Sequence, residues 1–92
     1  MEAELQNKII KALKKHQPDV KVIKIHDKYT SGISDLIICH RGKFVAIELK
    51  VGNNKPTKLQ ELFLMQIEEA GGVVGVAYSI EDVERILKIN LT

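Results

Sequence analysis

The residues best suited to chemistry lie in "SGISDLIICHRGKFVAIELK", residues 31–50. Asp35 opens one apolar run, and Glu48 and Lys50 close the next. The two runs are separated by Arg41-Gly42 and read as a β-hairpin with a two-residue loop. In that register Cys39 faces Phe44, Ile37 faces Ala46 and Asp35 faces Glu48. Directly opposed side chains have Cβ atoms about 4.5–5.5 Å apart. Lys50 lies two residues past Glu48 and so projects from the same face. A one-residue slip would send Asp35 to the other side, so the cluster depends on the turn.

Two facing carboxylates repel and destabilise a sheet. A hard divalent cation, Mg²⁺ or Mn²⁺, resolves the repulsion, because it takes one or two carboxylates together with waters and phosphate oxygens. Such an ion activates water and neutralises charge on a phosphoryl group. A neighbouring ammonium orients that water or stabilises the phosphorus centre as charge builds. Asp35, Glu48 and Lys50 thus suit phosphodiester hydrolysis. The same residues also allow a structural ion pair, Glu48–Lys50 or Asp35–Lys50, at a strand end. Asp35 equally suits the end of a turn begun at Gly32.

The elements that position these groups follow from periodicity. Leu5, Ile9, Ala12 and Leu13 fall at helical spacing over residues 2 to about 15, and Pro18 ends the pattern. "VKVIKI" (20–25) alternates like a half-exposed strand, and "HDKYTSG" (26–32) is loop-like. "SDLIIC" and "KFVAIELKV" are apolar on both faces, as strands covered by helices on each side are. "GNNKP" (52–56) breaks the chain before a helix over about 57–70, with Leu59, Leu62, Phe63 and Ile67 on one side and a stop at Gly71-Gly72. Leu64 and Met65 fall outside that side and would suit a dimer contact. "VVGVAY" (73–78) is a fourth strand. Ser79 and Asp82 form a capping box for a last helix, with Val83, Ile86 and Leu87 inward. The fold class is α/β, in the order αβββαβα, with a mixed four-stranded sheet flanked by helices.

"GISD", followed by Glu48 thirteen positions after Asp35 in "IELK", resembles the G-x-x-D…E-x-K core of the PD-(D/E)XK nucleases, which have a restriction-endonuclease-like fold. More narrowly, the whole chain resembles the VRR-NUC (virus-type replication-repair nuclease) family. The resemblance rests on an early Glu in the first helix, "GISD", "AIELK", and "KPTKLQ" leading a helix. Ser34 stands where that family usually has Pro. The resemblance implies a metal-dependent endonuclease acting on structured DNA, such as a four-way junction, flap or fork. It implies Asp35 and Glu48 as Mg²⁺ or Mn²⁺ ligands, with the Leu49 backbone carbonyl as a third, and Lys50 as the catalytic ammonium. Gln60 matches the family's glutamine, although Thr57 and Gln60 also fit a capping box. Glu2 matches the early acid, with Leu5 and Ile9 at the expected spacing, and would reach the metal through water. An acidic first turn complementing the helix dipole is the other account of Glu2. Lys24 corresponds to a basic residue common in the family.

Lys8, Lys11 and Lys15 line one side of the first helix, and Lys28, Lys55 and Lys58 sit in the segments flanking the site; all suit phosphate contacts. Tyr29, Thr30, Asn53 and Asn54 share those segments. The net charge of +2 neither requires nor forbids nucleic acid, since binding needs only a local patch. Aromatics are 4% of residues, which argues against base stacking as the main binding mode. The histidines His16, His26 and His40 have no zinc-type spacing with Cys39, and "AGGVVG" lacks the Lys-Ser/Thr of a nucleotide-binding P-loop, so no nucleotide cofactor is expected.

With 92 residues, 45% hydrophobic and 28% charged, the chain is expected to form one domain over 1–92. So small a core favours oligomerisation, and a homodimer would set two sites against the strands of a symmetric junction. The single Cys39 sits in an apolar strand and reads as a small hydrophobe in a reducing compartment. There is no apolar leader and no run of roughly 18 apolar residues, so the cytoplasm of a bacterial or phage-infected cell is expected. The alternative is a non-catalytic nucleic-acid- or protein-binding module on the same fold. Such a module has no need of facing carboxylates.

Overall fold

The structure, a computed structural model, describes residues 2–25 and 34–91, the side chain of Glu2 excepted. His26, Lys28, Tyr29, Thr30, Gly32 and the side chain of Glu2, all of which carry expectations from the sequence, lie outside the described residues. The elements run α1 (Glu2–Lys14), β1 (Val20–Lys24), β2 (Leu36–His40), β3 (Lys43–Leu49), α2 (Lys58–Glu69), β4 (Val73–Ala77) and α3 (Ile80–Leu87). The sheet order is β1-β2-β3-β4. β1, β2 and β3 are antiparallel neighbours, and β4 joins β3 in parallel after the α2 crossover.

The hairpin register follows from its turn. Arg41 and Gly42 both take positive φ, 50° and 86°, as the two central residues of a type I′ turn must. His40 then pairs with Lys43, Cys39 with Phe44, Ile38 with Val45, Ile37 with Ala46 and Leu36 with Ile47.

One face of the sheet carries the main core. Ile9 and Leu13 of α1 and Ile80, Val83 and Leu87 of α3 pack on Val20, Leu36, Ile38, Val45, Ile47, Leu49 and Ala77. Gly75 of β4 permits this closeness, because a Cβ there would meet Ile86 Cδ1 at 2.3 Å. α2 lies on the opposite face against β3 and β4. Thr57 caps it: its Oγ1 accepts from the Gln60 amide, and Gln60 Oε1 accepts from the Thr57 amide. At α3, Ser79 Oγ accepts from the Asp82 amide, but the Asp82 carboxylate accepts from Tyr78 rather than from Ser79. The Tyr78 amide is the main reason the Asp82 carboxyl lies below its ordinary range.

Besides the half-formed capping box at α3, the structure corrects three expectations. α2 is rotated from its expected setting: Leu64 is buried, Leu59 and Leu62 are 55% and 42% exposed, and Phe63 and Ile67 are partly covered. The capping box and the Gln60 contact with Glu48 fix this rotation, turning residues 60, 63, 64 and 67 inward. Leu64 is therefore removed from the proposed dimer contact, whereas Met65 remains exposed. Secondly, β2 and the start of β3 are not covered on both faces, whereas β1 is half-exposed as expected. α2 packs chiefly on β3 and β4, so Ile23 at the outer edge is 53% exposed; Phe44, near the start of β3, is 48% exposed beside the C-terminal end of α2. Thirdly, and for the same reason, Cys39 is exposed rather than part of the core. No helix among the described residues is long and apolar enough to cross a membrane.

Candidate active site

The site forms where β2 begins and β3 ends. Continuing the hairpin register one step past Leu36–Ile47 sets Asp35 opposite Glu48, on the face that α2 covers. Asp35 is half-buried, and its Oδ2 accepts a 2.8 Å hydrogen bond from the Leu49 amide. Glu48 is 1% exposed. Its Oε2 accepts from Gln60 Nε2 at 2.9 Å and lies 3.4 Å from Lys50 Nζ. Its Oε1 is buried with no hydrogen-bond partner.

Burying a carboxylate with a second carboxylate beside it is costly. Burial first, and then the charge of Asp35, push the Glu48 carboxyl up from 4.5 to about 7, and Lys50 offsets only part of that rise. Buried polar atoms nearly always have partners, so an orphan oxygen between two facing acids marks a place built for a cation or a proton.

Gln60 has two roles at once, closing the capping box through its backbone amide and Oε1 and holding Glu48 through Nε2. Ser34 is 1% exposed and donates its hydroxyl to the Leu36 carbonyl at 3.3 Å. That hydroxyl is satisfied locally and leaves Asp35 free. Leu49 presents its amide to Asp35, and its side chain enters the core on the other face. Tyr78 carries a contact that no sequence motif indicates. Its hydroxyl donates to the Asn54 carbonyl at 2.7 Å, tying the loop after β3 to the end of β4. The Lys50 amide bonds to the Ala77 carbonyl beside it.

Among the described residues no three His, Cys, Asp or Glu side chains converge on one point; the described carboxylates at this place are those of Asp35 and Glu48. The basic residues divide between two sides of the molecule. Lys24 is exposed on the strand beside Asp35, where the Ile25 amide bonds to the Asp35 carbonyl. Lys55 and Lys58 are exposed in the segment leading into α2. Lys8, Lys11 and Lys15 instead line a groove of about 340 Å³ with Ala12, Ile80 and Leu91, on the α1/α3 side of the sheet and away from Glu48.

The same chain path occurs in solved structures. A structure described as "VRR_NUC domain" superposes with a TM-score of 0.78 at 24% identity, covering 95% of this chain and 94% of that one. A second, described as "VRR_NUC domain protein", gives 0.77 at 20% identity over 96% and 85%. No family model matches the sequence, and neither does any curated protein. The chain has the VRR_NUC domain fold, in agreement with the order of its sequence motifs.

Proposed function

We propose that this chain is a VRR-NUC endonuclease that hydrolyses phosphodiesters in structured DNA, four-way junctions or flaps and forks, with Mg²⁺ or Mn²⁺ as cofactor. The observation that carries this reading is Glu48: a carboxylate inside the sheet, facing Asp35, with one oxygen unpartnered and its pKa raised to about 7. A binding module gains nothing from that arrangement.

The donor set fits a hard cation. Asp35 and Glu48 would hold it, with the Leu49 carbonyl and, through water, Glu2 completing the shell. A bound Mg²⁺ or Mn²⁺ supplies Lewis-acid polarisation of the phosphate and lowers the pKa of water. The chain's own groups do the rest. The Leu49 amide fixes the Asp35 carboxylate, and Gln60 fixes that of Glu48, so neither need reorganise when substrate arrives. Lys50 sets its Nζ 3.4 Å from Glu48 Oε2, where it orients the attacking water and stabilises charge on phosphorus. Lys24, Lys28, Lys55 and Lys58 contact phosphates near the cut, and Lys8, Lys11 and Lys15 contact them farther away.

The chain acts as a homodimer in this reading. The exposed α2 residues Leu59, Leu62 and Met65 offer an apolar stripe for a two-fold contact, which the chain mass in solution tests. The metal reading is tested by calorimetric titration with Mn²⁺ in two buffers of different protonation enthalpy at about pH 7, where Glu48 is half-protonated. Binding should release protons, and Glu48→Gln should abolish that release. No heat of Mn²⁺ binding would favour the binding-module alternative.

A further inference from the structure

A second cavity lies at the other end of the sheet and on its other face. It measures about 270 Å³ and is lined by His40, Lys43, Val45, Val73, Ile86, Leu87 and Lys88. Its floor is aliphatic: Val45 is 1% exposed, and Val73, Ile86 and Leu87 pack around it. Its rim is basic. His40 and Lys43 are cross-strand partners in the hairpin, so their side chains stand together, and Lys88 reaches the rim from the end of α3. No acidic residue lines it. Among the described residues, neither lysine side chain has an ion-pair partner.

The backbone around this rim is also unusual. Only two non-glycine described residues take positive φ, Arg41 at 50° and Lys88 at 59°. Both positions favour glycine or asparagine, which reach the left-handed region at little or no cost. Both instead carry a long cationic side chain; Lys88 lines this cavity, and Arg41 lies in the turn between two residues that line it, His40 and Lys43. Left-handed conformations retained by such residues gather at binding sites, where the side chain is worth the strain.

We infer that this cavity binds a small amphipathic anion, a phosphate monoester or carboxylate carrying a short aliphatic body. The body fills the space over Val45, Val73, Ile86 and Leu87, and the anionic head meets Lys43, Lys88 and His40. A bare nucleic-acid backbone fits less well. It would leave the aliphatic floor empty, and no Phe, Tyr or Trp lines the cavity for a base to stack on. The site shares no residue with the Asp35–Glu48 centre, so this inference stands apart from the nuclease reading.

The test is an amide ¹H–¹⁵N NMR titration of the intact, metal-free chain with octyl phosphate, octanoate, inorganic phosphate and a short DNA duplex. Octyl phosphate or octanoate should shift Val45, Val73, Ile86 and Leu87 saturably, and inorganic phosphate should not. The two amphiphiles distinguish a phosphate head from a carboxylate. Lys43 and Lys88 are exposed, so Lys43→Gln with Lys88→Gln should leave the spectrum folded and weaken binding by about tenfold or more. Absence of saturable shifts would overturn the inference. So would undiminished binding by the double variant, or DNA and inorganic phosphate shifting the same amides as strongly as the amphiphiles.

Discussion

Replacing Glu48 with glutamine should stabilise the metal-free protein at neutral and alkaline pH, although it removes a proposed catalytic group. Glu48 is 1% exposed, and its carboxyl is raised from 4.5 to about 7, by burial first and by Asp35 next. An acid with a raised folded pKa binds more protons folded than unfolded between those two values. Stability therefore falls as pH rises from about 4.5 to about 7, and the full cost persists above that window. At 1.36 kcal/mol per pKa unit, the shift amounts to roughly 3 kcal/mol. Glutamine keeps an acceptor for Gln60 Nε2 but sets a second amide donor where Oε1 has no partner, which returns roughly 1 kcal/mol. The net gain is about 2 kcal/mol, or about 8–16 °C in Tm for a chain of this size. Urea unfolding in EDTA at about pH 5 and about pH 8 measures it, and the advantage should be largely confined to the higher pH. Equal stability of Glu48→Gln and the parent at about pH 8, or the same gain at both pH values, would refute the reasoning.

Two further substitutions probe the support of the site. Gln60→Ala removes half of the capping box and the donor to Glu48, so it should cost about 1–2 kcal/mol by urea unfolding and raise the apparent pKa of Glu48 further. Leu64→Ala should cost about 2–4 kcal/mol, because Leu64 is buried, whereas Leu62→Ala should stay within about 0.5 kcal/mol for the monomer. The reverse order would mean that α2 is rotated the other way.

The hairpin was the most legible part of the sequence. Arg41-Gly42 admits one tight turn, that turn sets one register, and the register sets Asp35 against Glu48. The αβββαβα order was equally readable, because each element is bounded by a breaker or a cap. The rotation of α2 was not. Leu59, Leu62, Phe63, Leu64, Met65 and Ile67 surround much of the helix, so apolar spacing alone allows more than one inward face. A polar contact, Gln60 to Glu48, chose between them. The open face of β2 was hidden for a related reason: a run such as "LIIC" reads the same whether one or both sides are covered, and the placement of α2 over β3 and β4 leaves Cys39 in solvent. The tie from Tyr78 to Asn54 spans distant positions and has no local pattern that could announce it.

The most direct test is cleavage of labelled single-strand, duplex, flap, fork and four-way DNA in Mn²⁺ by the parent chain, Asp35→Ala and Glu48→Ala, with binding of the same substrates measured in parallel. The account predicts cutting of the branched substrates by the parent, and loss of cutting with retained binding in both variants. Unchanged cleavage by Glu48→Ala would contradict it.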